Sequence, residues 1–262
     1  MKKTILMLAA GGLLLTVPSC KKGENDPALS FSSRKARFAG SWEMTGYAYN
    51  SRNQEIDGDY QTTTATLSGN KITSTDSDYD ADAGTTSSSS SEITIDKAEY
   101  MIEKDGTFTM EYNTTSVSTD TYDDFFGNEH TETTTTVSTS LVTGNWSFIG
   151  AVKEGDVTYK NKERVILNWL TEVSTSNTVV VDLNTSDGST TTSDNGTYSS
   201  TDNYYSGEIS MSYALDMLKG KEMVWKSMES NSGSSSWTNG GTTTSSTDDV
   251  YTSDETITFT AK

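Results

Sequence analysis

The sequence is short of the two residue types that most often carry chemistry, since its 262 residues include one cysteine and one histidine. A lone cysteine excludes an internal disulfide. With a lone histidine it also excludes the usual zinc sites, which need three or four nitrogen or sulfur ligands. His130 lies in a polar, loop-like stretch, which does not favour a buried Ser-His-Asp triad. No visible motif gathers a nucleophile, a base and an orienting group, so the sequence predicts neither an enzyme nor a cofactor.

Basic residues are also scarce. Nineteen Lys and Arg stand against 37 Asp and Glu, which gives a net charge of -18 at pH 7. So acidic a surface repels phosphate backbones and excludes nucleic acid as a partner. Proline occurs only twice, whereas 13 Tyr, 7 Phe and 5 Trp are present. Disordered acidic tails are rich in proline and poor in aromatic residues, so this composition favours a chain that buries a core.

The amino terminus carries a long run without charge. Residues 4–17 follow two lysines and end just before the only cysteine. The run is too short for a membrane span and is typical of a secretory signal. The residues Val17-Pro18-Ser19-Cys20 resemble the lipobox of bacterial lipoproteins. The alternative is an ordinary signal peptide followed by an incidental cysteine.

The lipobox resemblance implies that residues 1–19 are a signal peptide that is removed and that Cys20 is acylated. The acyl chains would then bind the protein to a membrane. Lys21 stands where inner-membrane retention signals usually carry Asp. The expected location is therefore the outer membrane, on either its periplasmic or its cell-surface face.

The remaining chain divides into a tether and one domain. Residues 20–37 are polar and lack an apolar period, which predicts a lipidated tether. Its basic cluster at 34–37 would either contact headgroup phosphates or form a solvated first turn before the domain. Residues 38–262 suit a single β domain, because β domains often exceed 200 residues as one unit.

Apolar and polar residues alternate through much of this domain, with a period of two that predicts about eight to ten strands at hairpin spacing. In the first strand, the alternation predicts Trp42, Met44 and Ala48 on one face and Tyr47 and Tyr49 on the other.

The sharpest local prediction is a hairpin over residues 98–112. A two-residue Asp-Gly turn would mix polar and apolar side chains on each face, whereas a three-residue loop at 104–106 makes one face wholly apolar. We therefore predict a three-residue loop with Gly106 in a left-handed conformation. The predicted partners on the apolar face are Ile102 with Phe108, Tyr100 with Met110, and Ala98 with Tyr112.

Ser and Thr form runs at 87–91, 133–136, 190–192 and 242–247. Such runs are found in disordered linkers, but threonine is β-branched and also suits the polar faces of strands. The runs alternate with strongly patterned segments, so we expect them in long solvated hairpins and loops of the same domain.

Two tryptophan motifs connect these strands to a known family. Gly40-Ser41-Trp42 resembles the first signature of the lipocalin group, and Gly144-Asn145-Trp146 repeats the pattern. With the lipobox, the hairpin at 104–107 and a closing Phe259, the chain resembles the lipocalin-like lipoproteins of Gram-negative bacteria. The resemblance implies an all-β fold, an antiparallel up-and-down meander that closes into a lipocalin-like β-barrel with long Ser/Thr-rich hairpins.

The resemblance also implies a non-enzymatic envelope protein that either holds a small apolar ligand inside the barrel or acts as a binding module. A ligand site needs an apolar inner face with spare volume. The same side chains would equally fill a closed core, and both alternatives stay open. The candidate ligand-binding residues are Trp42, Tyr100, Ile102, Phe108 and Met110.

Two further patterns suggest functions on the surface. Acidic residues at every second position provide oxygen ligands at a spacing that calcium loops use, although the glycine and glutamate of such loops are absent. These candidates are Asp76, Asp78, Asp80 and Asp82. Separately, Trp237 with Tyr204 and Tyr205 would form an aromatic platform for sugar rings, which favours a cell-surface glycan-binding or adhesion protein as the alternative function.

Overall fold

The structure, a computed structural model, describes residues 33–55, 58–154, 157–160, 163–239 and 242–262. The lipobox with Cys20 and most of the predicted tether lie outside these residues. No described helix is long and apolar enough to span a membrane. The described elements are helix α1 (Arg34–Phe38) and strands β1 (Gly40–Gln54), β2 (Tyr60–Ser68), β3 (Lys71–Asp80), β4 (Thr85–Ile102), β5 (Thr107–Asp123), β6 (Glu129–Ile149), β7 (Val152–Glu154), β8 (Val157–Tyr159), β9 (Arg164–Asn184), β10 (Thr190–Asn203), β11 (Ser210–Lys219), β12 (Glu222–Asn239) and β13 (Thr242–Ala261).

Strand pairing closes one large antiparallel sheet into a ring. The ring runs through β1, β4, β5, β6, β9, β11, β12 and β13 and returns to β1. The prediction of an antiparallel all-β domain is confirmed. In the described part of the sheet, successive strands are antiparallel neighbours from β1 to β6 and from β11 to β13, as in an up-and-down meander. In addition, β1 pairs with β4, and β9 pairs with β6, β10 and β11. Strands β7 and β8 form a separate pair.

Several strands continue beyond the ring as long arms. The Ser and Thr runs at 87–91, 133–136, 190–192 and 242–247 lie within β4, β6, β10 and β13. Hydroxyl groups on neighbouring strands hydrogen-bond to each other, as Thr136 and Thr178 do at 3.1 Å. The expectation that these runs belong to hairpins of the domain is confirmed.

The register of the hairpin formed by β4 and β5 also follows the prediction. Ile102 pairs with Phe108, and Tyr100 pairs with Met110. The loop between them contains Gly106 at a φ of +104°, a backbone conformation that favours glycine. The predicted three-residue loop is therefore confirmed, and with it the apolar face that depends on this register.

The predicted faces of β1 are correct only for its first half. Trp42 and Met44 are buried, as predicted. Thr45 is then an extra residue in the pairing with β13, so that the alternation of faces is reversed after it. As a result Tyr47 and Tyr49 turn to the inner side and Ala48 is exposed, the opposite of the predicted arrangement.

Helix α1 packs against one end of the ring, next to the hydrophobic core. Phe38 is fully buried, and its ring lies 4.7 Å from the ring of Trp146 in an edge-on contact. The indole N–H of Trp42 donates to the Phe38 carbonyl oxygen at 3.0 Å. The guanidinium of buried Arg34 donates to the Leu215 carbonyl oxygen at 3.1 Å. These contacts close this end of the ring, and the predicted domain boundary at residue 38 falls at the end of α1.

Candidate functional site

A cavity of about 650 Å³ is lined by strands of the ring together with β2 and β3, on the side of the core that faces away from α1. This volume falls within the usual range of small-molecule sites. Aliphatic, methionine, serine and threonine side chains form much of the wall, together with the carboxylates of Glu172 and Glu255. The aromatic lining consists of Tyr47, Tyr49, Tyr100, Tyr112, Trp169 and Tyr213.

Two β-bulges set which side chains of β1 and β9 reach this cavity. In β1 the extra residue Thr45 turns Tyr47 and Tyr49 inward, as described above. In β9 the extra residue is Leu170, since Gly144 of β6 pairs with Trp169 whereas its neighbour Thr143 pairs with Thr171. A bulge changes the side on which the following residues lie. Strand β9 therefore presents both Trp169 and Glu172 to the cavity.

Glu255 is the carboxylate on the β13 wall. Its burial raises its pKa, and a hydrogen bond from the Tyr47 hydroxyl acts in the opposite direction. Burial, with a further contribution from the Glu255 charge, raises the pKa of Tyr47, Tyr100 and Tyr213. The three phenols are therefore neutral around physiological pH and share the cavity wall with a partly desolvated acid.

Glu172 is the carboxylate on the β9 wall. It accepts hydrogen bonds from the Ser140 hydroxyl at 3.0 Å and from the Tyr204 hydroxyl at 3.3 Å. Among the described residues that line the cavity there is no lysine, arginine or histidine. Both carboxylates are thus held by hydroxyl groups, and no cation in the described part of the wall neutralises them.

The wall also contains a hydrogen-bond donor without an acceptor. The indole Nε1 of Trp169 is buried and has no hydrogen-bond partner among the described residues. A buried N–H that lacks an acceptor costs about 1–3 kcal/mol. An oxygen atom of a bound molecule or of water would satisfy this donor.

The predicted ligand-binding residues divide between the cavity and the core. Tyr100 and Met110 line the cavity. Trp42, Ile102 and Phe108 are each 2 % exposed and belong to the core beneath it. The predicted residues thus divide between the wall of this cavity and the closed core beneath it.

The acidic residues predicted as calcium candidates do not form a loop. Asp76 and Asp78 lie in β3 and accept hydrogen bonds from Thr63 at 2.6 Å and from Gln61 at 2.9 Å, both on β2. Asp80 ends the strand and Asp82 is exposed in the turn that follows. The described residues contain no group of three or more His, Cys, Asp or Glu that could hold a metal ion. The calcium loop is corrected to a strand whose acids pair with its neighbour.

The aromatic platform predicted for sugars is placed only in part. Tyr205 is 87 % exposed, whereas the Tyr204 hydroxyl contacts Glu172. The side chain of Trp237 lies outside the described part of the structure. A different aromatic pair, Tyr60 and Tyr79, stacks at 4.9 Å beside a polar cleft of about 410 Å³.

His130 lies in β6, near its start, instead of the predicted loop. Its Nδ1 is 3.0 Å from an Asp182 oxygen and its Nε2 is 3.5 Å from an Asp124 oxygen. Its ring stacks on Tyr122. The hydrogen bond to Asp182 and the nearby Asp124 raise the pKa of His130. This arrangement links the end of the β5–β6 arm to Asp182 of β9.

Comparison with known protein families, curated proteins and solved structures gave no match to this chain.

Proposed function

We propose that this chain is a lipid-anchored, non-enzymatic binding protein of the outer membrane that holds a small apolar ligand. The observation that supports this is the cavity of about 650 Å³ with its aromatic and aliphatic walls. Such a cavity, with few polar groups among apolar ones, is the usual form of a small-molecule site.

We further propose that the ring is a lipocalin-like barrel. Three features support this relation: the Gly-x-Trp motif at Trp42, the short helix before it, and the Phe38 ring that packs under the strands. In this arrangement α1 closes one end and a ligand enters from the other. The lipobox at Cys20 supports a membrane anchor that leaves the domain outside the lipid.

Native mass spectrometry tests the proposal on two preparations. One is the mature protein purified from its own membrane, and the other is the full chain with Cys20→Ser, which cannot be acylated. We expect an acyl mass only in the first preparation and a stoichiometric small-molecule adduct in both. A bare polypeptide mass in the Cys20→Ser protein, together with no binding of any added apolar compound, would overturn ligand binding. Absence of acyl mass in the first would overturn the anchor.

Glycan binding is a second candidate, and the polar cleft beside Tyr60 and Tyr79 favours it. Asp78, Asp80 and Gln61 line the same cleft, so aromatic and hydrogen-bonding side chains lie together, as in sugar-binding sites. Binding of the protein to a glycan array should be lost in the Tyr60→Ala variant and kept in the Tyr205→Ala variant. Equal retention by both variants would reject the cleft as a glycan site.

A further inference from the structure

We infer that the cavity selects an apolar ligand that carries a positively charged amine. This inference rests on the proposed ligand-binding function and adds the charge of the ligand to it. It follows from the kinds of side chain that meet at the cavity wall and from those that are missing there.

The two carboxylates provide the first argument. Glu255 and Glu172 lie on different strands, β13 and β9, and both line the same cavity. Their partners are neutral hydroxyl groups of Tyr47, Ser140 and Tyr204. A partly buried carboxylate without a cation is costly, and an ammonium group of a ligand would compensate it through charge-assisted hydrogen bonds. The raised pKa of Glu255 agrees with this uncompensated state.

The aromatic groups around Glu255 provide the second argument. Tyr47 donates a hydrogen bond to its carboxylate, and Tyr100 and Tyr213 line the same cavity. Aromatic rings attract organic cations through their negative faces, and clusters of such rings are a common means of binding amines. A cavity that holds an acid and several tyrosines therefore suits a cation with an apolar body better than it suits a neutral hydrocarbon.

The absence of basic groups from the described wall is the third argument. A fatty acid would bring a third carboxylate into the cavity with no lysine, arginine or histidine of the described lining to pair with it. The net charge of -18 also repels anions from the protein and attracts cations to it. Charge at the site and charge over the whole chain thus favour the same class of ligand.

The test uses three probes that share a twelve-carbon chain and differ at the head: dodecylamine, dodecanol and dodecanoate. Each is titrated by calorimetry, below its micelle concentration, into the full chain with Cys20→Ser so that no acyl group competes. We expect the amine to bind at least about tenfold more tightly than the alcohol, and the carboxylate to bind most weakly. Glu255→Gln and Glu172→Gln should each reduce the preference for the amine. Glu43→Gln, on the exposed side of β1, is the matched control and should keep it.

The outcomes separate the two proposals. Equal binding of the three probes, or tighter binding of the carboxylate, would reject the amine selectivity and leave ligand binding intact. Binding of none of them would reject the amine selectivity and, together with a bare polypeptide mass of the Cys20→Ser protein, ligand binding as well. An amine preference that survives both glutamine variants, each checked for folding by thermal denaturation, would reject Glu255 and Glu172 as its source.

Discussion

Gly144 makes the most direct test of the packing between the core and the cavity. It lies on β6 opposite Phe108 of β5 on one side and Trp169 of β9 on the other. A Cβ atom at this position would lie 2.1 Å from the carbonyl oxygen of Asn168 and 2.6 Å from the Phe108 ring. Real side chains do not approach so closely, so Gly144→Ala requires the backbone of β9 and the Phe108 ring to move.

The expected loss in the free energy of unfolding depends on the atom closest to the added Cβ, which is the Asn168 carbonyl oxygen. Overpacking a core usually costs about 1–3 kcal/mol. A flexible side chain can turn away, but the Asn168 carbonyl belongs to a paired strand and cannot, so we expect about 3 kcal/mol or slightly more. For a domain of this size that loss lowers the melting temperature by about 6–12 °C.

Thermal and urea denaturation, followed by circular dichroism, measure this cost. Gly150→Ala is the matched control, because a Cβ atom at Gly150 meets nothing within 4 Å and its backbone has no positive φ. The control should stay within about 0.5 kcal/mol of the parent. If Gly144→Ala is as stable as Gly150→Ala, the close packing of β6 between Phe108 and β9 is wrong.

Three further predictions concern the acid in the cavity, the core and the arm. Because burial raises the folded-state pKa of Glu255, its contribution to stability is present below the ordinary pKa of 4.5 and is lost as pH rises through the raised value. Glu255→Gln should therefore be more stable than the parent at pH 7 and lose this advantage near pH 4. Urea denaturation at both pH values measures the difference in free energy of unfolding between variant and parent, and a difference that is the same at both pH values would contradict the prediction. Trp225 is 1 % exposed and contacts four aromatic rings, so Trp225→Ala should cost about 3–5 kcal/mol in denaturation, while exposed Tyr205→Ala should cost about 0.5 kcal/mol or less. The single histidine gives one NMR titration curve, whose midpoint should lie above 6.5 and fall in Asp182→Asn; an unchanged midpoint would reject the His130–Asp182 contact.

The predicted hairpin at 98–112 shows what alternation and loop length determine together. Of a two-residue and a three-residue loop, only the three-residue loop aligns the apolar residues on one face, and the glycine in the loop suits it. The structure has this register. Where the chain carries regular alternation and a short turn, local sequence is sufficient to define the pairing.

The cavity could not be predicted in the same way, because it depends on bulges. Thr45 and Leu170 look like ordinary members of alternating strands, and nothing in their side chains marks them as extra residues. Each is extra only with respect to a partner strand that is distant in the sequence. The inward positions of Tyr47 and Glu172 therefore follow from tertiary pairing, and the alternation alone assigned Tyr47 to the wrong face.

The bulges also explain why the ring contains a cavity above a closed core. Toward α1, the apolar side chains of Trp42, Phe108 and Trp225 fill the interior completely. At the level of the bulges the inward positions include five tyrosines, a tryptophan and two acids, whose polar atoms need hydrogen-bond partners when they are buried. Farther out the strands carry mainly Ser and Thr and continue as arms. Along the same strands the inward side chains thus change from apolar in the core, to aromatic and acidic at the cavity, to Ser and Thr in the arms. The cavity lies at the level where aromatic rings and carboxylates occur together.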